Sequence, residues 1–79
     1  MPVIKRSVSI AGHQTSVSLE PLFWAQLKLL AKDNGAPVNQ YIADIEEQLT
    51  DTGETNLSSA LRVHVLMQAL TRQHTADQH

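Results

Sequence analysis

Gln14, Ser16 and Ser18 stand on alternate residues and carry one amide and two hydroxyls. In an extended strand such residues share a face, so they make an uncharged row of hydrogen-bond donors and acceptors. Lys5 and Arg6 are adjacent cations, suited to holding an anionic surface. Chemistry that breaks bonds is poorly served. No serine stands in Gly-x-Ser-x-Gly, and no His/carboxylate pair has a recognisable catalytic spacing. Glu46 and Glu47 are neighbours that a helix would point in different directions, and Gly12, Gly35 and Gly53 are too scattered for a phosphate-cradling loop. His13, His64, His74 and His79 lie 51, 10 and 5 residues apart, which matches no zinc or nickel spacing, and there is no cysteine. The residues predict a binding surface rather than an active site, with no metal and no cofactor.

The elements that must position these residues are legible from periodicity. Arg6–Ile10 and Gln14–Leu19 alternate with period two, placing Val8 and Ile10, then Thr15, Val17 and Leu19, opposite the small polar residues. The apolar phase slips across Ala11-Gly12-His13, the mark of a turn or bulge at Gly12. Glu20-Pro21 then opens a helix over about 21–33, which Asn34-Gly35 stops. Its apolar residues form two stripes: Phe23, Leu27, Leu30 and Ala31, and Leu22, Ala25 and Leu29, with Trp24 between. A helix so apolar needs cover on two sides. A second helix, about 38–49, carries one stripe of Val38, Ile42, Ile45 and Leu49, and a polar linker follows over 50–55. Asn56 is a suitable cap for a third helix over about 57–71, whose Leu57, Ala60, Leu61, Val65, Leu66, Met67 and Leu70 are expected to cover the first helix. Residues 1–71 read as one domain and 72–79 as a frayed polar tail. His64 reads as a partly buried core histidine, Trp24 as core, and Arg62 as the partner of an acidic residue in its own chain.

Seventy-nine residues bury only about 60% of their unfolded surface, so a lone subunit without disulfide or metal would be marginal. At 42% hydrophobic residues the chain is nevertheless too apolar for disorder. The two facts together favour an oligomer with a shared core. No apolar run approaches the ~18 residues of a membrane span, and Met1-Pro2-Val3-Ile4-Lys5-Arg6 lacks the apolar stretch of a signal peptide. A soluble, cytoplasmic protein is expected. The net charge of −2 divides unevenly. Residues 1–32 carry Lys5, Arg6, Lys28 and Lys32 against Glu20, a net +3, whereas residues 33–79 carry a net −5. A basic N-terminal half permits an anionic partner without requiring one.

Thr15-Ser16-Val17-Ser18-Leu19-Glu20-Pro21, the stop at Asn34-Gly35, and Val38-Asn39-Gln40-Tyr41-Ile42 together resemble the ribbon–helix–helix domains, the Arc/MetJ-like superfamily. A bacterial branch of it is suggested by the run from Ala11 to Glu20, by Phe23-Trp24, and by Asn56-Leu57-Ser58-Ser59-Ala60-Leu61-Arg62-Val63. The resemblance covers roughly residues 6–67. It implies an α+β, mostly helical fold: an N-terminal strand or hairpin, two helices and here an extra third, in an intertwined homodimer whose ribbon combines strands of two subunits.

The function implied is that of a sequence-specific, DNA-binding transcriptional regulator whose ribbon enters the major groove of double-stranded DNA. The base-facing residues would be Gln14, Ser16 and Ser18. Phosphates would be met by Val38 and Asn39 at the start of the second helix, and by Lys5 and Arg6. Pro37 stands where the family generally has a Ser or Thr cap. The alternative is a protein–protein interaction module, antitoxin-like or an adaptor dimer, with weak or lost DNA binding and a partner held by the third helix. Dimers could also assemble further on DNA.

Overall fold

The computed structural model describes residues 2–52 and 56–77, and side chains over 2–49 and 56–72. The chain begins with two strands, β1 (Ile4–Ile10) and β2 (His13–Leu19), followed by α1 (Pro21–Asp33), α2 (Val38–Thr52) and α3 (Leu57–Asp77). The strands pair antiparallel within the chain, Ile4 opposite Leu19 through to Ile10 opposite His13. Both turn residues, Ala11 (φ 51°) and Gly12 (φ 84°), are left-handed, the combination whose twist suits a two-residue hairpin. β1 and β2 thus give the expected N-terminal element the form of a hairpin.

Alternation gives this hairpin two faces. Val8, Ile10, Val17 and Leu19 point into the molecule and are buried, while Lys5, Ser7, Ser9, Gln14 and Ser16 are exposed and Ser18 is half-buried. Beneath the inner face lie Leu27 and Leu30 of α1, Ile42 and Ile45 of α2, and Leu61 and Val65 of α3, which complete a single aliphatic core. Val17, Leu19, Leu27, Ile42 and Leu61 have no solvent exposure. Full burial is worth about 1.5–3 kcal/mol for each such side chain. These side chains are thus already buried within one chain.

The helix ends follow from local chemistry where the sequence supplies it. Pro21 occupies the first turn of α1, and Trp24 N–H donates to the Glu20 carbonyl (3.1 Å). At the other end Gly35 (φ 71°) lets its own N–H reach the Lys32 carbonyl and that of Ala36 reach the Ala31 carbonyl, both at 3.0 Å. These two bonds close the helix in the Schellman manner. Asn56 caps α3 as its type predicts, its Oδ1 accepting from Ser59 N–H (3.1 Å). Two ends run beyond the expected bounds. α2 continues through Thr52, into the expected linker, and α3 through Asp77, into the expected tail. Neither extension contains Gly or Pro, and once a helix exists each further residue adds a bond. Residues 53–55 of the linker, and 78 and 79 of the tail, lie outside the described residues.

One packing expectation is corrected. The stripe of Leu27, Leu30 and Ala31 is buried and Phe23 half-buried, but Leu22, Ala25 and Leu29 remain exposed. α3 delivers Leu61 and Val65 to the side already facing the hairpin rather than covering the second stripe. Its own Val63, Leu66, Met67 and Leu70 are also exposed, and with Leu22 and Leu29 each is 50–59% accessible. Among the described residues no helix is long and apolar enough to cross a membrane.

Candidate nucleic-acid interface

The outward face of the hairpin carries three cross-strand pairs: Lys5 opposite Ser18, Ser7 opposite Ser16, and Ser9 opposite Gln14. Side chains directly opposite on one face lie about 4.5–5.5 Å apart at Cβ. The six therefore form one continuous patch of hydroxyls, an amide and a single ammonium group. Gln14, Ser16, Ser18 and Lys5 of the sequence-derived set are brought together here. Ser7 and Ser9 complete the face, and their alternation with Val8 and Ile10 had already marked them as its members.

Arg6 does not join them. It faces inward, opposite Val17, with its guanidinium carbon 4.8 Å from the centre of the Trp24 ring and its Nε buried without a hydrogen-bond partner. The attraction of a cation to an aromatic face compensates for part of the lost hydration. Trp24 itself is half-buried and packs against the core. Lys5 is therefore the one cation that the described hairpin places on its polar face.

Ser18 is tied to α3 through its backbone. Its N–H donates to Ser58 Oγ (2.9 Å), and its carbonyl accepts from Arg62 Nη2 (3.0 Å). Arg62 Nε also donates to Glu20 Oε1 (2.9 Å). That guanidinium, chiefly through its hydrogen bond, holds the Glu20 carboxyl below the usual carboxylate range. Arg62 thus has the structural pairing that the sequence favoured, joining the β2–α1 corner to α3.

Val38 and Asn39 lie on another element, in the first turn of α2. Pro37 is the residue before that helix, its carbonyl accepting from Tyr41 N–H (3.0 Å). The first N–H groups of a helix have no partner inside it, and no acidic residue stands in this first turn to occupy them. Val38 is half-buried against the core, whereas Asn39 is exposed. Further along α2, Glu46 Oε1 lies 4.0 Å from His13 Nε2 at the hairpin turn. His64 shares a hydrogen bond with the Tyr41 hydroxyl (2.6 Å), the rings meeting edge to face. Among the described residues, no three His, Asp or Glu side chains gather as a metal shell would. The His74 side chain and His79 lie outside them.

A two-stranded ribbon with a polar outer face, carried on helices, is the architecture of a known class. The family model for the ribbon-helix-helix domain matches residues 3–69. The chain belongs to that family. It is similar to a solved structure, that of an uncharacterized protein from Bordetella pertussis Tohama I, at 39% identity and a TM-score of 0.74. That likeness covers 91% of this chain, which spans 60% of the other chain's length. Among curated proteins none matches.

Proposed function

We propose that this protein is a homodimeric, cytoplasmic, sequence-specific regulator of transcription that lays the polar face of its hairpin in the DNA major groove. The observation that carries this reading is the outward face itself: six polar side chains on two strands, without one apolar interruption. Membership of the ribbon-helix-helix family, typically DNA-binding regulators, supports it. The major groove is wide enough for a two-stranded ribbon and presents a distinct hydrogen-bonding pattern for each base pair. Gln14 can pair its amide with adenine N6 and N7, and the hydroxyls of Ser16 and Ser18 can donate to or accept from several bases.

Lys5 meets phosphate at the end of this face. Val38 and Asn39 offer a second phosphate anchor through the free N–H groups and positive end of α2. Pro37 supplies no capping hydroxyl, but it leaves both of those N–H groups in place. Arg6, turned toward Trp24, is left out of the contact. Recognition of this kind needs no cofactor and no catalytic group.

A second reading rests on a separate observation. Leu22 and Leu29 of α1 and Val63, Leu66, Met67 and Leu70 of α3 are large apolar side chains left exposed on the helices. Where such side chains form a patch they mark protein contacts. Under that reading α3 holds a protein partner, or joins dimers side by side on DNA.

Ser16→Glu tests the leading reading. Ser16 is exposed, so the variant is expected to keep the helical circular dichroism and oligomeric state of the parent. A carboxylate in the groove repels phosphate and cannot accept from a base that offers only acceptors, so affinity for duplex DNA should fall at least a hundredfold. Unchanged affinity in a fluorescence anisotropy titration would remove the hairpin from the interface.

A further inference from the structure

The polar face of the hairpin is held at one end by α3, through both backbone groups of a single residue. In a hairpin with a two-residue turn the flanking pair, Ile10 and His13, exchanges backbone hydrogen bonds, and bonded pairs recur at every second position. The register therefore turns the backbone groups of Gln14, Ser16 and Ser18 away from β1, toward the outer edge of β2. At Ser18 side chains close that edge where a third strand would otherwise be needed. Its N–H donates to Ser58 Oγ (2.9 Å) and its carbonyl accepts from Arg62 Nη2 (3.0 Å). Ser58 and Arg62 are four residues apart and so stand on one side of α3. Leu61, between them in sequence, has no solvent exposure and fixes this turn of α3 in the core. Arg62 is steadied in turn by Glu20, whose Oε1 accepts from its Nε at 2.9 Å.

We propose that Ser58 and Arg62 are positioning residues for DNA recognition. They set the height and twist of the Lys5–Ser18 end of the hairpin, and through it the presentation of Ser16 and Ser18 to the bases. The inference rests on the DNA-binding reading and extends it to a helix outside the polar face. Ser18 lies directly opposite Lys5, so one hold places both the last base-facing hydroxyl and the cation of that face. A two-stranded ribbon twists more than a wider sheet and is marginal by itself, so its shape has to be imposed by a neighbour. The side chains concerned are also short. A serine hydroxyl lies one carbon from the backbone and cannot reach out to make good a displaced strand, whereas a binding constellation tolerates errors of only about 0.5 Å.

Arg62 has a rival role, as a direct phosphate contact. Its Nε and Nη2 already face Glu20 and Ser18, and the Glu20 carboxylate matches its charge. The two roles change different quantities. Loss of a phosphate contact weakens binding to every sequence alike and lowers the salt slope by about 1. Loss of a positioning contact lowers the preference between sequences and leaves that slope where it was. Ser58 is uncharged, so its variants separate the two.

Full-length Ser58→Ala, Ser58→Thr and Arg62→Met provide the test. Without DNA, amide hydrogen exchange followed by NMR should show the Ser18 N–H protected in the parent and in Ser58→Thr, which keeps the hydroxyl. In Ser58→Ala that N–H should exchange about tenfold faster, since its opening no longer breaks a bond to α3. Fluorescence anisotropy then compares a duplex from the protein's own upstream region with a random one. Preference for the upstream duplex should fall about tenfold in Ser58→Ala and in Arg62→Met, the loss of roughly one base contact. The salt slope should stay unchanged, and Ser58→Thr should match the parent. Arg62→Met removes the donors but keeps an unbranched stem, and it decides the matter where Ser58→Ala does not fold. Preference retained in the variants, a uniform loss on both duplexes, or unchanged exchange at Ser18 in Ser58→Ala overturns the inference. The first of these leaves the DNA reading standing. A parent that binds neither duplex, with the Ser18 N–H released in Ser58→Ala, removes the DNA reading and the recognition role with it, while the hold of α3 on the hairpin stands.

Discussion

His64 illustrates how one polar side chain on an apolar helix sets a pH dependence. It is half-buried where α3 meets α2, beside Tyr41. Burial lowers its pKa below the ordinary 6.5, because the charged imidazole loses hydration. The unfolded chain therefore takes up this proton first as pH falls. The stability contributed by neutral His64 is full above about pH 6.5, the unfolded value, and is lost as pH drops through the lower folded value. Urea unfolding should show the parent weaker at pH 5.5 than at pH 7.5, and His64→Gln should show a smaller difference between the two. An equal difference in both proteins would place the titration elsewhere. Glu20, held low by Arg62, stays ionised across this window and does not contribute to the change. Its own contribution is present above about pH 4.5 and is lost below that.

At the scale of elements, the hairpin turn carries a residue that its backbone does not suit. Ala11 sits at φ 51° beside Gly12 at φ 84°, and a left-handed conformation costs a residue with a Cβ about 1–2 kcal/mol. Ala11→Asn, which supplies the pairing that such turns favour, should stabilise the protein by about 0.5–1 kcal/mol. Thermal unfolding would show that as a rise of roughly 2–8 °C. Gly12→Ala should shift it the other way, although a Cβ there meets nothing within 4 Å, because the penalty is in φ rather than space. The turn was legible in the sequence, as the phase slip between Ile10 and Thr15. So were the start and stop of α1, written in Pro21 and Asn34-Gly35, and the buried stripe of α2. The inward position of Arg6 was legible too, since the alternation that buries Val8 and Ile10 also turns Arg6 inward. Its charge argued for solvent, and only Trp24 beneath it makes the inward position tolerable. The ends of α2 and α3 were not legible, because no breaker marks them at Leu49 or Thr71. Nor was the closure of β2, in which Ser58 and Arg62 lie 40 and 44 residues from Ser18. Periodicity reports which face of an element is apolar, not which neighbour will cover it. α1 has two apolar stripes and its sequence alone does not rank them.

In the whole molecule, polar and apolar duties are spatially divided. One chain buries an aliphatic core, presents a hydrogen-bonding face on the hairpin, and leaves apolar side chains of α1 and α3 exposed. Its acidic residues are mostly on α2 and beyond, while the polar hairpin face carries Lys5 and no carboxylate. This distribution makes a quantitative statement about DNA binding. Counting Lys5 alone from each of two copies, two phosphates are neutralised, and the logarithmic salt slope is about −2. Affinity should then fall only about tenfold between 50 and 200 mM salt, far less than for a densely basic binder. The discrimination must come from hydrogen bonds to base edges, so a specific duplex should be preferred even where charge is screened. The most direct measurement is fluorescence anisotropy of a labelled duplex from the protein's own upstream region, beside a random duplex, at both salt concentrations. Preference for the upstream duplex with that shallow salt dependence is the predicted result. Absence of binding to either duplex at 50 mM salt, or equal affinity for both, would contradict the assignment of the hairpin face to sequence-specific DNA recognition.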